Sequence, residues 1–180
     1  MTSRLVSGAP SRAYRAAIGM CAVAALAAGA LLGHTSAAVA ATPSCQTGGL
    51  VVWLDTNGNG TAGTIFYTLH FTNLSGHTCT LRGYPGVSAV NLGGHIMGSP
   101  ASRLAGHPVR TITLRNGRTA SATLGAVDTG ALPTCAMATA AGLRVFPPNS
   151  TVSKTIPFPF PACSNTGATF LRVDPVSAGS

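Results

Sequence analysis

From Thr64 to Thr72 the chain alternates strictly. Ile65, Tyr67, Leu69 and Phe71 fall on one side, and Phe66, Thr68, His70 and Thr72 on the other. A repeat of two residues is the signature of an extended strand, and the β-branched and aromatic content suits a pleated surface buried on one face. No stretch after residue 40 repeats at the helical period. Such a chain must bury its apolar residues between sheets. Further strands are predicted at 50–54, 87–91, 109–114, 119–124, 142–146, 152–158 and 168–173. Turn formers separate them. Asp55 to Gly60 reads as the long tip of a hairpin joining the first two strands. Tyr84-Pro85-Gly86 offers Pro and Gly to the centre of a type II turn. Asn116-Gly117 is the strongest hairpin signal, because both residues tolerate positive φ. Pro157, Pro159 and Pro161 remove backbone donors, so the strand at 152–158 is an edge or ends there. The expected fold is an all-β, antiparallel, immunoglobulin-like β-sandwich.

The first forty residues differ from the rest. Arg4, Arg12 and Arg15 precede an uncharged, alanine-rich run at 16–32, and Ala38-Val39-Ala40 is a small-x-small cleavage site. This is the pattern of a signal peptide at 1–40, cut between Ala40 and Ala41. The apolar run is short and poor in Leu, Ile and Val for a membrane span, so no stable span is expected after cleavage. The remaining chain divides into a short segment at 41–44, one domain at 45–175 and a tail at 176–180. The expected location is secreted or extracellular, with cell-wall association as one form of it.

Export places the four cysteines of the remaining chain, Cys45, Cys79, Cys135 and Cys163, in an oxidising space where they pair. Four cysteines allow three pairings, and sequence alone does not choose. Chain order favours Cys45–Cys79 and Cys135–Cys163, each closing a loop of about thirty residues.

The whole chain has 11 Lys+Arg and 3 Asp+Glu. Three of the arginines are in the leader, which leaves 8 cations against Asp55, Asp128 and Asp174, a net charge of +5. Such a balance attracts anionic partners, for example a cell-envelope polymer. The cations are scattered, with no run of the kind that forms a nucleic-acid tail, so no nucleic-acid partner is expected. The simpler account is a surface kept soluble by a modest excess of arginine.

Phe71-Thr72-Asn73, then Thr78-Cys79-Thr80-Leu81, then Gly83-Tyr84-Pro85-Gly86-Val87 resembles the signature of an actinobacterial exported family catalogued as domain of unknown function 4232. The opening Cys45, the glycines at 60–63, and Cys135 and Cys163 flanking Leu143-Arg144-Val145 resemble it too. The resemblance covers residues 45–175. It implies a secreted or envelope-associated β-sandwich, and it implies no activity, because the family has none assigned.

Three chemical constellations compete with plainer readings. Asp55-x-Asn57-x-Asn59-Gly60 matches the first half of a calcium loop, but Phe66 stands where the bidentate Glu belongs, so a hairpin tip is the better reading. His95-Ile96-Met97 offers soft ligands of the kind that bind Cu(I), against a turn histidine beside a core methionine. Hydrolysis would have to draw its carboxylates from Asp55, Asp128 and Asp174, with no Gly-x-Ser-x-Gly elbow and no Glu. Among the aromatics, Trp53 suits the sandwich centre. Tyr84, Phe158 and Phe160 are the candidates for an exposed partner surface. No catalytic residue, metal or cofactor is predicted. The function expected is a non-catalytic binding or structural module whose partner is an anionic envelope polymer or another exported protein. The alternatives are a metal or small-ligand carrier using His95 and Met97, and a hydrolase with an unrecognised site.

Overall fold

The structure is a computed structural model that describes residues 41–179. The expected signal peptide and its last residue, Ala40, lie outside the described residues. Those described form twelve strands: β1 (Leu50–Thr61), β2 (Thr64–Asn73), β3 (Cys79–Arg82), β4 (Gly86–Val90), β5 (Ile96–Met97), β6 (Ser102–Arg103), β7 (Thr111–Leu114), β8 (Thr119–Val127), β9 (Met137–Phe146), β10 (Lys154–Cys163), β11 (Leu171–Val173) and β12 (Ser177–Ala178). Among the described residues, the helical segments are two single-turn 3₁₀ pieces, Thr47–Gly49 and Thr129–Ala131.

One sheet runs β1-β2-β8-β11-β6, with β12 also pairing β8. A second runs β10-β9-β4-β5, and β3 with β7 makes a two-stranded ribbon. Every pairing of these strands is antiparallel except β11 with β6. The result is the all-β, mainly antiparallel sandwich that the alternation predicts. Leu54, Leu69, Phe71 and Leu124 of the first sheet and Val87, Leu143, Val145 and Phe160 of the second belong to one buried cluster. Burial of this kind supplies the main stabilising term, roughly 25 cal/mol per Å² of apolar surface. The disulfides are Cys45–Cys79 and Cys135–Cys163, the pairing that chain order favours. The first ties the entering segment to β3, and the second ties the approach to β9 to the end of β10.

Three local expectations need correction. The hairpin tip is Ala62-Gly63, both at positive φ (45° and 74°), not the stretch from Asp55 to Gly60. Two consecutive left-handed residues make a tight primed turn that matches strand twist. The Asn/Gly stretch is instead a bulge inside β1, where the ladder shifts register between Asp55 and Asn59. Gly86 is extended and pairs with Phe146, so no type II turn forms there. The left-handed residue is Gly83, at φ 106°.

Asn116-Gly117 does turn the chain, with Arg118 N–H donating to Arg115 C=O at 3.0 Å, but no hairpin follows. β7 pairs β3 while β8 pairs β2. The reason is Asn73, which is fully buried beside the turn. Its amide nitrogen donates to the Leu114 and His77 carbonyls, its side-chain oxygen accepts from the Ser75 N–H and hydroxyl, and its carbonyl accepts from Gly117 N–H. The Leu114 carbonyl is thereby held by a side chain rather than by β8.

β10 is an edge strand, the first of the two outcomes its prolines allow, and it runs on past them to Cys163. Pro157, Pro159 and Pro161 are exposed, whereas Phe158 and Phe160 alternate inward. The ladder absorbs them by shifting register between Pro157 and Phe160. Gly142 on β9 makes the room, because a Cβ there would collide with the Ile156 carbonyl.

Candidate functional site

A polar cleft that carries two arginines lies where β3, β4 and β6 meet. β3 ends at Arg82, Gly83 bends the backbone, and Tyr84 lands half-buried in the cleft wall. Its hydroxyl donates to the Leu104 carbonyl at 3.0 Å. The Arg103 guanidinium lies 5.3 Å from the Tyr84 ring centroid, a cation–π placement. β6 is held there by its parallel pairing to β11, with Arg103 opposite Val173. Asn149, at φ 60°, donates its amide to the Arg82 carbonyl at 3.1 Å. The cleft has a volume of about 530 Å³, is floored by Phe146 and Pro147, and carries Arg82 and Arg103 with no carboxylate in its lining. Two guanidiniums, one pre-oriented by an aromatic face, suit the planar bidentate recognition of phosphate or carboxylate.

Of the expected partner-surface residues, only Tyr84 belongs to this cleft. Phe160 is 6% exposed and is a core residue, which corrects its assignment to the surface. Strand alternation sends the prolines out and the phenylalanines in. Phe158 stacks on Phe160 at 5.3 Å and meets Tyr67 edge-on at 5.0 Å, so it is half-buried rather than presented. Phe160 lines an apolar mouth of about 400 Å³ shared with Ile65, Tyr67 and Asp128.

Trp53 is not at the sandwich centre. It is 42% exposed and stacks on His70 at 4.0 Å. Leu50 and Leu54 take the inward positions of β1, which leaves Val51 and Trp53 on the outer face. Burial lowers the His70 pKa below its ordinary 6.5, and the nearby Asp55 charge opposes that shift.

Asp55 Oδ1 accepts from the backbone and side-chain N–H groups of Asn57 at 2.9 and 3.0 Å, a local turn within the bulge. The structure does not bring His95 and Met97 together. His95 sits in the exposed turn after β4, with its backbone N–H on the Asn91 side chain, whereas Met97 is 5% exposed in the core. The three carboxylates lie on separate elements, Asp55 in β1, Asp128 capping a 3₁₀ turn through Gly130 N–H, and Asp174 after β11. Among the described residues no group of three or more His, Cys, Asp or Glu is clustered as metal ligands would be. No helix among them is long and apolar enough to cross a membrane.

Tyr84 is the one cleft residue that the sequence marks as a partner-surface candidate, and Arg82, Arg103 and Asn149 are missed. Arg82 was recoverable, since it stands two residues before Tyr84. Arg103 and Asn149 arrive from distant loops, and no local pattern announces them. A family model described as a domain of unknown function (DUF4232) matches residues 45–177. No curated protein and no solved structure matches the chain.

Proposed function

The chain belongs to the DUF4232 family, and on that premise we propose that it is a secreted or envelope-associated, non-catalytic binding module. Its ligand is an anionic envelope polymer held in the Tyr84 cleft. The observation that carries this reading is the pairing of Arg82 and Arg103 in a cleft without a carboxylate, with Arg103 held over the Tyr84 ring. The leader pattern and the two closed disulfides support export.

Cosedimentation with isolated cell walls tests the reading. The full chain pellets with the walls at low salt and is released as ionic strength rises past the point where the screening length falls to about 8 Å. Arg82→Gln with Arg103→Gln pellets at least several-fold less, while the fold, read by circular dichroism, is unchanged. Undiminished pelleting by the double variant would overturn the assignment of the cleft. Failure of the unmodified chain to bind walls at any salt would overturn the function.

A further inference from the structure

A second cleft, separate from the Tyr84 cleft, opens between the segment before β7 and the segment around β12. Its volume is about 600 Å³. Ile112 and Val176 give it an apolar floor, Thr123 and Ser177 add hydroxyls, and its two formal charges are Asp174 and Arg110.

Asp174 is the unusual member. It is 8% exposed, and its backbone is fixed by its N–H on the Thr123 carbonyl at 3.0 Å. Its Oδ1 is buried and accepts no hydrogen bond of acceptable geometry from the described residues. His107 Nδ1 comes within 3.0 Å of that oxygen, but off the line that a hydrogen bond requires, and the imidazole is itself 59% exposed. A contact of this kind between a solvent-facing ring and a carboxylate is weak. A buried carboxylate oxygen without donors is costly to maintain. The cleft therefore presents an acceptor that is desolvated in advance, covered by a side chain free to swing into water. Arg110, exposed and in the same lining, supplies a cation.

We propose that this cleft binds a small zwitterion of the α-amino-acid class. The ammonium group takes the place of the His107 ring on Asp174, the carboxylate meets Arg110, and an aliphatic side chain lies on Ile112 and Val176. An ammonium brings three donors to an oxygen that has none. A lone amine would satisfy Asp174 but face Arg110 as a like charge. A lone carboxylate would meet Asp174 as one.

The test is a titration of the full chain followed by backbone amide NMR. Three probes share one carbon skeleton: leucine, 3-methylbutylamine, which lacks the carboxylate, and 4-methylpentanoate, which lacks the amine. Leucine is expected to give saturable shifts at Ile112, Thr123 and Val176. The amine binds more weakly at the same amides, and the acid does not bind. Arg110→Gln reduces leucine to the affinity of the amine. Asp174→Asn weakens leucine about tenfold or more, the loss expected when a charged hydrogen-bond partner is removed. Where Asp174→Asn does not fold, His107→Ala decides, since it uncovers the carboxylate and tightens leucine binding. Absence of saturable shifts with leucine, equal binding of the acid, or weaker leucine binding by His107→Ala would each overturn the site. None of these results bears on wall binding through the Tyr84 cleft.

Discussion

Trp53 and His70 form a pair whose state can be read optically, because the chain has a single tryptophan. A protonated imidazole quenches a stacked indole. Since burial lowers the His70 pKa, Trp53 emission is expected to fall on acidification with a midpoint below 6.5. Asp55→Asn removes the opposing charge and moves that midpoint lower still. A midpoint at or above 6.5 would contradict the burial argument. The same shift has a sign in stability. Folded His70 takes up its proton at lower pH than unfolded His70, so its contribution is complete above 6.5 and is lost as pH falls from there through the folded value. His70→Gln flattens this part of a stability–pH curve. Asn73 is the other residue whose role is disproportionate to its size. Asn73→Ala leaves buried carbonyls and N–H groups without partners and is expected to cost about 3 kcal/mol, measurable as a lower urea midpoint with unchanged slope. The sequence resemblance includes Asn73 but gives no reason for it. Its role depends on the Leu114 carbonyl, forty-one residues away.

Long strands with clean alternation were legible. β2 and β8 stand where period two places them, and the core positions on β2 are those predicted, from Tyr67 to Phe71. Of the six elements of two to four residues, β7 and β11 fall inside predicted strands, whereas β3, β5, β6 and β12 were not read, since a period is hard to read from so few positions. Sheet membership was not legible either. An Asn-Gly turn specifies a reversal, but the partner of each flanking strand is set by burial and by side chains such as Asn73. Trp53 failed for a related reason. Alternation fixes that it opposes Leu54, and only packing of the second sheet decides which of the two faces inward. The joint between β5 and the approach to β11 offers a test of element packing. Gly98 is at φ 66°, and a Cβ there would stand 2.5 Å from Phe170 Cε1 and 2.7 Å from the Ala168 carbonyl. Phe170 is fully buried and cannot retreat. Gly98→Ala is expected to destabilise by roughly 3 kcal/mol through strain and overpacking, read by chemical denaturation. A loss below about 1 kcal/mol would show that β5 is free to move away.

For the molecule as a whole, the two disulfides close spans of 34 and 28 residues. In the chain-entropy account each contributes roughly 3–4 kcal/mol by restricting the unfolded state. Replacing Cys45 and Cys79 together by Ser is expected to lower stability by about that amount. Replacing all four cysteines should leave a chain that is largely unfolded at body temperature, visible as loss of amide dispersion. Equal stability with and without the bridges would mean that the sandwich core alone suffices.

The edges of the two sheets are unequal. β10 closes one side of its sheet with three outward prolines, and β5, at the other side, is two residues long. In the larger sheet β6 is equally short, so among the described residues β1 alone offers that sheet a long free flank. Backbone pairing between copies therefore has one extended seam available. A single self-complementary seam joins two copies about a twofold axis and is then used up. Growth into filaments needs a second seam, and the sheets of the described residues offer no second long one free of prolines.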